Sequence, residues 1–237
     1  MSTENYLIRQ CSNHNCNFRY PAPKNSGIGV NCPKCKSETL IIHELNLNHE
    51  KIAESYPSYP VNNLEIVLDN IRSTFNVGAI LRSSDGVGVK KIYLCGITPT
   101  PTNTKVHKTA LGAEKTVNYE IHPNAVALVK TLKKKGYVIW ALEKTSTAQS
   151  IFDFHISSSS RPTLLVVGNE IVGVDPDILS ECDAHLNIPM AGLKNSLNVA
   201  IAFGIAVYSL TKNNFSSSNQ VDRSEERRVG KECRSRW

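Results

Sequence analysis

No apolar run in this 237-residue chain reaches the ~20 residues that a membrane-spanning helix needs; the longest, Val199 to Leu210, is well short of it. The N-terminus also lacks the continuous apolar region of a secretion signal, so a cytoplasmic protein without a membrane partner is expected. Aromatic residues make up only 7% of the chain, and no Gly-x-Gly-x-x-Gly stretch joins a strand to a helix, which excludes the usual dinucleotide loop. Strong charge is missing too. The net +6 spreads as +2 over residues 1–45, +2 over 46–221 and +2 over 222–237, so bulk charge alone argues little for nucleic acid. The one dense basic run, KTLKKKG at 130–136, reads more simply as a solvated last helical turn opposing the dipole than as an RNA contact.

What is present begins with cysteine. Four of the seven fall within the first 35 residues, Cys11, Cys16, Cys32 and Cys35, spaced C-x4-C-x15-C-x2-C. Two short knuckles of this kind suit one tetrahedral zinc ion, and so small a segment holds too few apolar residues to fold without a staple. A disulfide pair is the competing reading, disfavoured by the expected reducing compartment. His14 is a weaker substitute ligand. Cys95 and Cys182 sit in apolar contexts that suit buried, inert thiols.

With hydrophobic content of 41%, the chain can bury a sizeable core. Its expected organisation is a zinc ribbon over 1–45, a linker over 46–60 with two prolines, a larger domain over 61–214 and a tail over 215–237. In the larger domain, strand-like and helix-like stretches alternate. Ala125, Leu128, Val129 and Leu132 make one helical stripe ending at Gly136; Asp175-Pro176 opens a helix; LLVV at 164–167 is apolar on both faces, as a central parallel strand must be. The pattern is α/β with an open, mostly parallel sheet. The last stretch, RSEERRVGKECRSRW at 223–237, has no apolar periodicity and reads as an artefact resembling a translated sequencing adapter, in which case the genuine C-terminus is unknown.

Ligands of open α/β sheets lie beyond the carboxyl ends of the strands. Three such ends here are rich in small and polar residues: NIRSTFNVGAILR after the first strand, GNEIVG after LLVV, and IPMAGLKNSLN after the last strand. One composite pocket is expected. Asn76 suits a helix N-cap, and Val77, Ile80 and Leu81 form the buried stripe behind it, leaving Arg82 for either a ligand or a surface ion pair. Gly86 and Gly88 punctuate the end of that helix.

These three segments, in this order over residues 64–210, resemble the motifs of the SpoU/TrmH family of RNA ribose methyltransferases in the SPOUT superfamily. The resemblance implies a deep C-terminal trefoil knot, a homodimer, and S-adenosylmethionine (AdoMet) bent around the knot. It implies cofactor contacts near Glu143, Thr145, Gly168, Ile188, Met190 and Leu197. By motif, Asn76, Arg82, Glu170, Ser196 and Asn198 fall on the catalytic and substrate-orienting positions. Ser196 equally suits a helix N-cap, and Ile188 and Leu197 equally suit the core. The implied reaction is attack by a ribose 2′-hydroxyl of tRNA or rRNA on the methyl carbon. Family accounts make the arginine a general base, yet neutralising an arginine at pH 7 costs about 7.5 kcal/mol. A phosphate clamp that also stabilises the developing alkoxide is the easier role for Arg82. The ribbon, with Arg9, Arg19, Lys24, Lys34 and Lys36 and with Phe18 or Tyr20 for stacking, is expected to add RNA affinity or else to serve as a stability or dimer module. The alternatives are a catalytically silent, zinc-stapled RNA-binding protein on the same fold, and base rather than ribose methylation.

Overall fold

The computed structural model describes residues 5–25, 27, 29–46, 63–156, 161–194 and 196–214. The expected linker, apart from Asn46, and the whole 215–237 tail lie outside them. The chain divides into two compact units, Met1–Pro57 and Ser58–Trp237.

The first unit is a three-stranded antiparallel sheet, β1 (Asn5–Cys11), β2 (Arg19–Pro23) and β3 (Thr39–Asn46), in the order β2-β1-β3. Its buried apolar content is slight: Leu7, Ala22, Cys11 and Cys32. Leu40, Ile41 and Leu45 on the edge strand β3 stay exposed. Two tight turns carry the cysteines. Asn17 and Lys36, each directly after the second cysteine of its pair, take left-handed φ of 46° and 66°, closing the turns through bonds from Asn17 N–H to the Asn13 carbonyl and from Lys36 N–H to the Cys32 carbonyl.

The second unit is a three-layer α/β/α domain. Its strands are β4 (Leu64–Asp69), β5 (Lys91–Cys95), β6 (Tyr119–His122), β7 (Val138–Leu142), β8 (Gln149–Ser150), β9 (Thr163–Val167) and β10 (Ala184–Asn187), in the order β6-β5-β4-β9-β7-β10-β8 with every pairing parallel. β4 and β9, side by side at the centre, are buried at every position, as strands covered on both faces must be. One face carries α1 (Thr74–Val87), α2 (Thr104–Ala110) and the helix spanning 199–214, here α5, through Val77, Ile80, Leu81, Val106, Phe203 and Val207. The other carries α3 (Ala125–Lys134) and α4 (Pro176–Leu179), through Leu128, Val129, Leu132 and Ile178. Burying each large apolar side chain is worth roughly 1.5–3 kcal/mol, so these two layers dominate the fold.

Local chemistry sets the helix ends differently from expectation. The N-cap of α1 is Ser73, whose hydroxyl accepts from the Asn76 N–H at 3.3 Å, so Asn76 lies inside the first turn with its side chain free for other partners. Gly88, at φ 69°, closes the helix. At α5 the cap is Asn198 rather than Ser196: its Oδ1 accepts from the N–H groups of Ala200 (2.9 Å) and Ile201 (3.4 Å). The Lys133–Lys134 turn ends α3 as a basic C-terminus, with Lys133 paired to Glu181. No helix among the described residues is long and apolar enough to cross a membrane.

Candidate active site

The sheet reverses its winding direction between β4 and β7, where β9 inserts, and the loops after β4, β9, β7 and β10 converge on that crevice. A cavity of about 390 Å³ lies there. Gly168, Glu170, Ile188, Met190, Ser196 and Asn198 line it, and so do Glu143 and Leu197.

A hydrogen-bonded relay crosses its rim. Glu170 Oε2 accepts from the Arg72 N–H at 2.8 Å, while Oε1 accepts from the Ser73 N–H at 3.0 Å and from Asn76 Nδ2 at 3.0 Å. Asn76 Oδ1 in turn accepts from Asn198 Nδ2 at 3.1 Å. Glu170 thus fixes the orientation of the Asn76 amide, and Asn76 fixes that of Asn198. Burial pushes the Glu170 carboxyl upward, but the bonds from Arg72, Ser73 and Asn76 outweigh it and hold the group below its ordinary value. With both oxygens engaged, Glu170 is an ionised anchor rather than a free proton acceptor.

Several residues beneath the relay had no clear sequence signal. Asn70, at φ 58°, accepts from the Ile97 N–H through Oδ1, and its carbonyl accepts from Asn169 Nδ2 at 2.6 Å, lacing together the loops after β4, β5 and β9. Asp69 accepts from Asn70 Nδ2 and from the Asp175 N–H, and burial raises its pKa. Gly168 and Gly173 are required by space. A Cβ on Gly168 would lie 2.2 Å from the Val174 nitrogen, and one on Gly173, whose φ is 76°, would lie 2.4 Å from Glu143 Oε2. Glu143 itself accepts from the Val174 N–H at 3.0 Å. The repeated asparagines at strand ends were the one clue to this lacing.

Three expected site residues are outside the cavity lining: Asn76, which reaches it through Glu170 and Asn198, and Arg82 and Thr145, which stand further apart. Arg82 is exposed and shares the α2-facing side of α1 with Gly78, whose Cα abuts Thr109, and with Asp85, which accepts from Thr116. It makes no hydrogen bond or ion pair among the described residues. Thr145 does not line the cavity and pairs with His185 at 2.9 Å. Cys95 is fully buried and Cys182 half-buried, and burial pushes both thiols up to about 12, away from reactivity.

The SpoU rRNA methylase family profile matches residues 63–208, which contain the whole crevice. The chain belongs to that family. Among curated proteins, it is 30% identical over 145 residues to the tRNA (guanosine(18)-2′-O)-methyltransferase of Thermus thermophilus, covering 61% of this chain and 72% of that one. It is 30% identical over 177 residues to the 23S rRNA (guanosine-2′-O-)-methyltransferase RlmB of Ralstonia nicotianae, covering 75% and 67%. Among solved structures, the AdoMet-bound rRNA methyltransferase from Sinorhizobium meliloti superposes with a TM-score of 0.57 at 27% identity, covering 64% of this chain and 57% of that one.

The cysteine cluster lies outside the SpoU-matched residues. The sulfurs of Cys11, Cys16, Cys32 and Cys35 all fall within 4.8 Å of one another, with 3.3 Å between Cys11 and Cys35 and 3.8 Å between Cys16 and Cys32. A tetrahedral ion with Zn–S bonds of ~2.3 Å sets sulfurs ~3.8 Å apart, whereas a disulfide needs ~2.05 Å. The donor set therefore fits one zinc ion and no disulfide. Without a metal the four thiols are split: bonds from Ser37 hold Cys35 at about 6 and Cys32 is lowered, while burial pushes Cys11 up to about 12 and raises Cys16. His14 is exposed and outside the cluster.

Part of the ribbon set expected to face RNA is engaged within the unit itself. Arg9 Nη1 donates to Thr39 Oγ1 at 3.0 Å and its Nε is buried; Lys24 pairs with Glu44; the Tyr20 hydroxyl donates to the Gly29 carbonyl at 2.9 Å. Arg19, Lys34, Lys36 and Phe18 remain at the surface.

Proposed function

We propose that the SpoU domain transfers a methyl group from AdoMet to a ribose 2′-hydroxyl of tRNA or rRNA. The observation that carries this reading is the Glu170–Asn76–Asn198 relay on the rim of the family-matched cavity. AdoMet supplies an electrophilic methyl on a departing sulfur. The residues that would hold it are Glu143, Gly168, Ile188, Met190 and Leu197, where the main chain at Gly168 packs too closely on Gly173 and Val174 for any side chain, with Thr145 nearby. Glu170 holds Asn76 and Asn198 in single orientations, so their amides meet an incoming ribose without reorganisation. Ser196 lines the same cavity with a hydroxyl that helix capping does not occupy, suited to orienting the sugar. Arg82, exposed and without a partner among the described residues, takes the phosphate-clamp role.

The working form in this reading is a homodimer of knotted domains in the cytoplasm. Support for the dimer comes from the stripe Leu197, Ile201, Ile205 and Tyr208, which recurs every three to four residues and is 37–57% exposed. In the ribbon, Cys11, Cys16, Cys32 and Cys35 would hold zinc, and Arg19, Lys34, Lys36 and Phe18 would add RNA affinity.

The test is mass spectrometry of nucleosides from tRNA and rRNA fractions incubated with the protein and labelled AdoMet. A gain in a 2′-O-methylated nucleoside is expected. Label on a base would favour base methylation, and RNA binding without label would favour the silent binding protein. Analytical ultracentrifugation of wild type and Ile201→Asp checks the dimer, expected to dissociate in the variant.

A further inference from the structure

We propose that His185 is a positioning residue for the cofactor, holding Thr145 in place through its Nδ1 atom. The inference rests on the reading that the loop after β7, residues 143–148, contacts AdoMet. His185 sits on β10 opposite Ala141 of β7, two residues before Asn187 and three before Ile188, both of which line the cavity. Its side chain lies on the α4 face of the sheet, since its neighbours Ala184 and Leu186 pack into the opposite core.

Its ring is fixed at both nitrogens. Nε2 lies 3.0 Å from the carbonyl oxygen of Leu179, the last residue of α4, which also accepts from the Cys182 N–H at 3.1 Å. A carbonyl only accepts, so Nε2 carries the proton and Nδ1 is left as an acceptor. Thr145 Oγ1, at 2.9 Å, donates to it, and Thr147 Oγ1 stands at 3.4 Å as an alternative donor. Glu143 ties the start of the same loop to Val174 through its carboxylate and to the Leu186 carbonyl through its N–H at 3.0 Å, and His185 adds a further anchor at Thr145. Without the histidine, Thr145 Oγ1 keeps only Thr147 Oγ1 at 3.3 Å, within its own loop, and the side-chain link from the middle of the loop to β10 is lost.

The two nitrogens can be separated by substitution. Asparagine at 185 keeps an acceptor where Nδ1 stands and loses the bond to Leu179; glutamine keeps a donor where Nε2 stands and loses the acceptor for Thr145. Titration calorimetry with AdoMet should show about fivefold weaker binding for His185→Gln and for Thr145→Val. The double variant should be no weaker than either alone, and His185→Asn and Thr145→Ser should restore most of the affinity. In turnover, KM for AdoMet should rise in His185→Gln with kcat little changed. If the wild type binds AdoMet and Thr145→Val binds equally well, or the two losses add independently, the proposal is overturned. If both His185 variants fail to fold by circular dichroism, the Thr145 pair alone decides it. A wild type that binds no AdoMet overturns the underlying reading of the pocket instead.

Discussion

The two units of this chain are held together in opposite ways. The ribbon has a single thin sheet, few buried apolar side chains and exposed Leu40, Ile41 and Leu45, and its four thiols converge on one point. The SpoU domain buries two apolar layers on either face of its sheet and needs no staple. One unit is therefore expected to fail all at once when a single donor is lost, and the other to tolerate losses at its site without unfolding.

The largest effect expected is on the ribbon. Cys32→Ser, or a strong zinc chelator, should unfold residues 5–46 completely, read by hydrogen exchange, while exchange in the SpoU domain stays unchanged. Loss of protection in both units would break the contrast. Next is Gly168→Ala, which forces a Cβ to within 2.2 Å of backbone nitrogen at Val174. AdoMet affinity should fall by at least ~100-fold, with the melting temperature of the domain lowered by only a few degrees. Glu170→Gln comes third. It leaves a carboxamide where three donors point, and kcat should drop roughly 10–100-fold with AdoMet affinity nearly intact. Because the Glu170 carboxyl is held low, its contribution is present above the ordinary value of about 4.3 and lost only as pH falls through the lower folded value. Activity should accordingly show no loss from this group between pH 8 and pH 5. The smallest effect sharpens the contrast from the ribbon side. Replacing Lys34 and Lys36 together by alanine should weaken RNA binding a few-fold and flatten its salt dependence by about two charges, leaving AdoMet binding untouched.

Much of the SpoU domain was legible in the sequence because its strands are buried on both faces and its helices are punctuated: Asn124 before α3, Gly88 after α1 and Asp175-Pro176 at α4 all act as their chemistry dictates. The segment from Thr104 to His122 was not. α2 has only Val106 and Ala110 facing inward, and β6 is a four-residue edge strand, too short for a period to emerge. The site was half legible. The three loops were visible as clusters of small and polar residues, but which residue caps and which orients depends on partners far away in sequence. Asn198 does both: one end of its amide caps α5 and the other reaches Asn76, 122 residues earlier. Ser73 removes the capping duty from Asn76 in the same manner, leaving that amide to Glu170. His185 gave no sequence signal, since its partners, Thr145 and the Leu179 carbonyl, are brought to it only by the sheet.

The relay draws its three members from residue 76, residue 170 and the cap of α5. On the proposed reading, a chain still being synthesised would therefore have no working centre, however well its first strands have paired, until α5 is made and seated. Any break that severs that helix, even one remote from the cavity in sequence, would switch the whole unit off in one stroke.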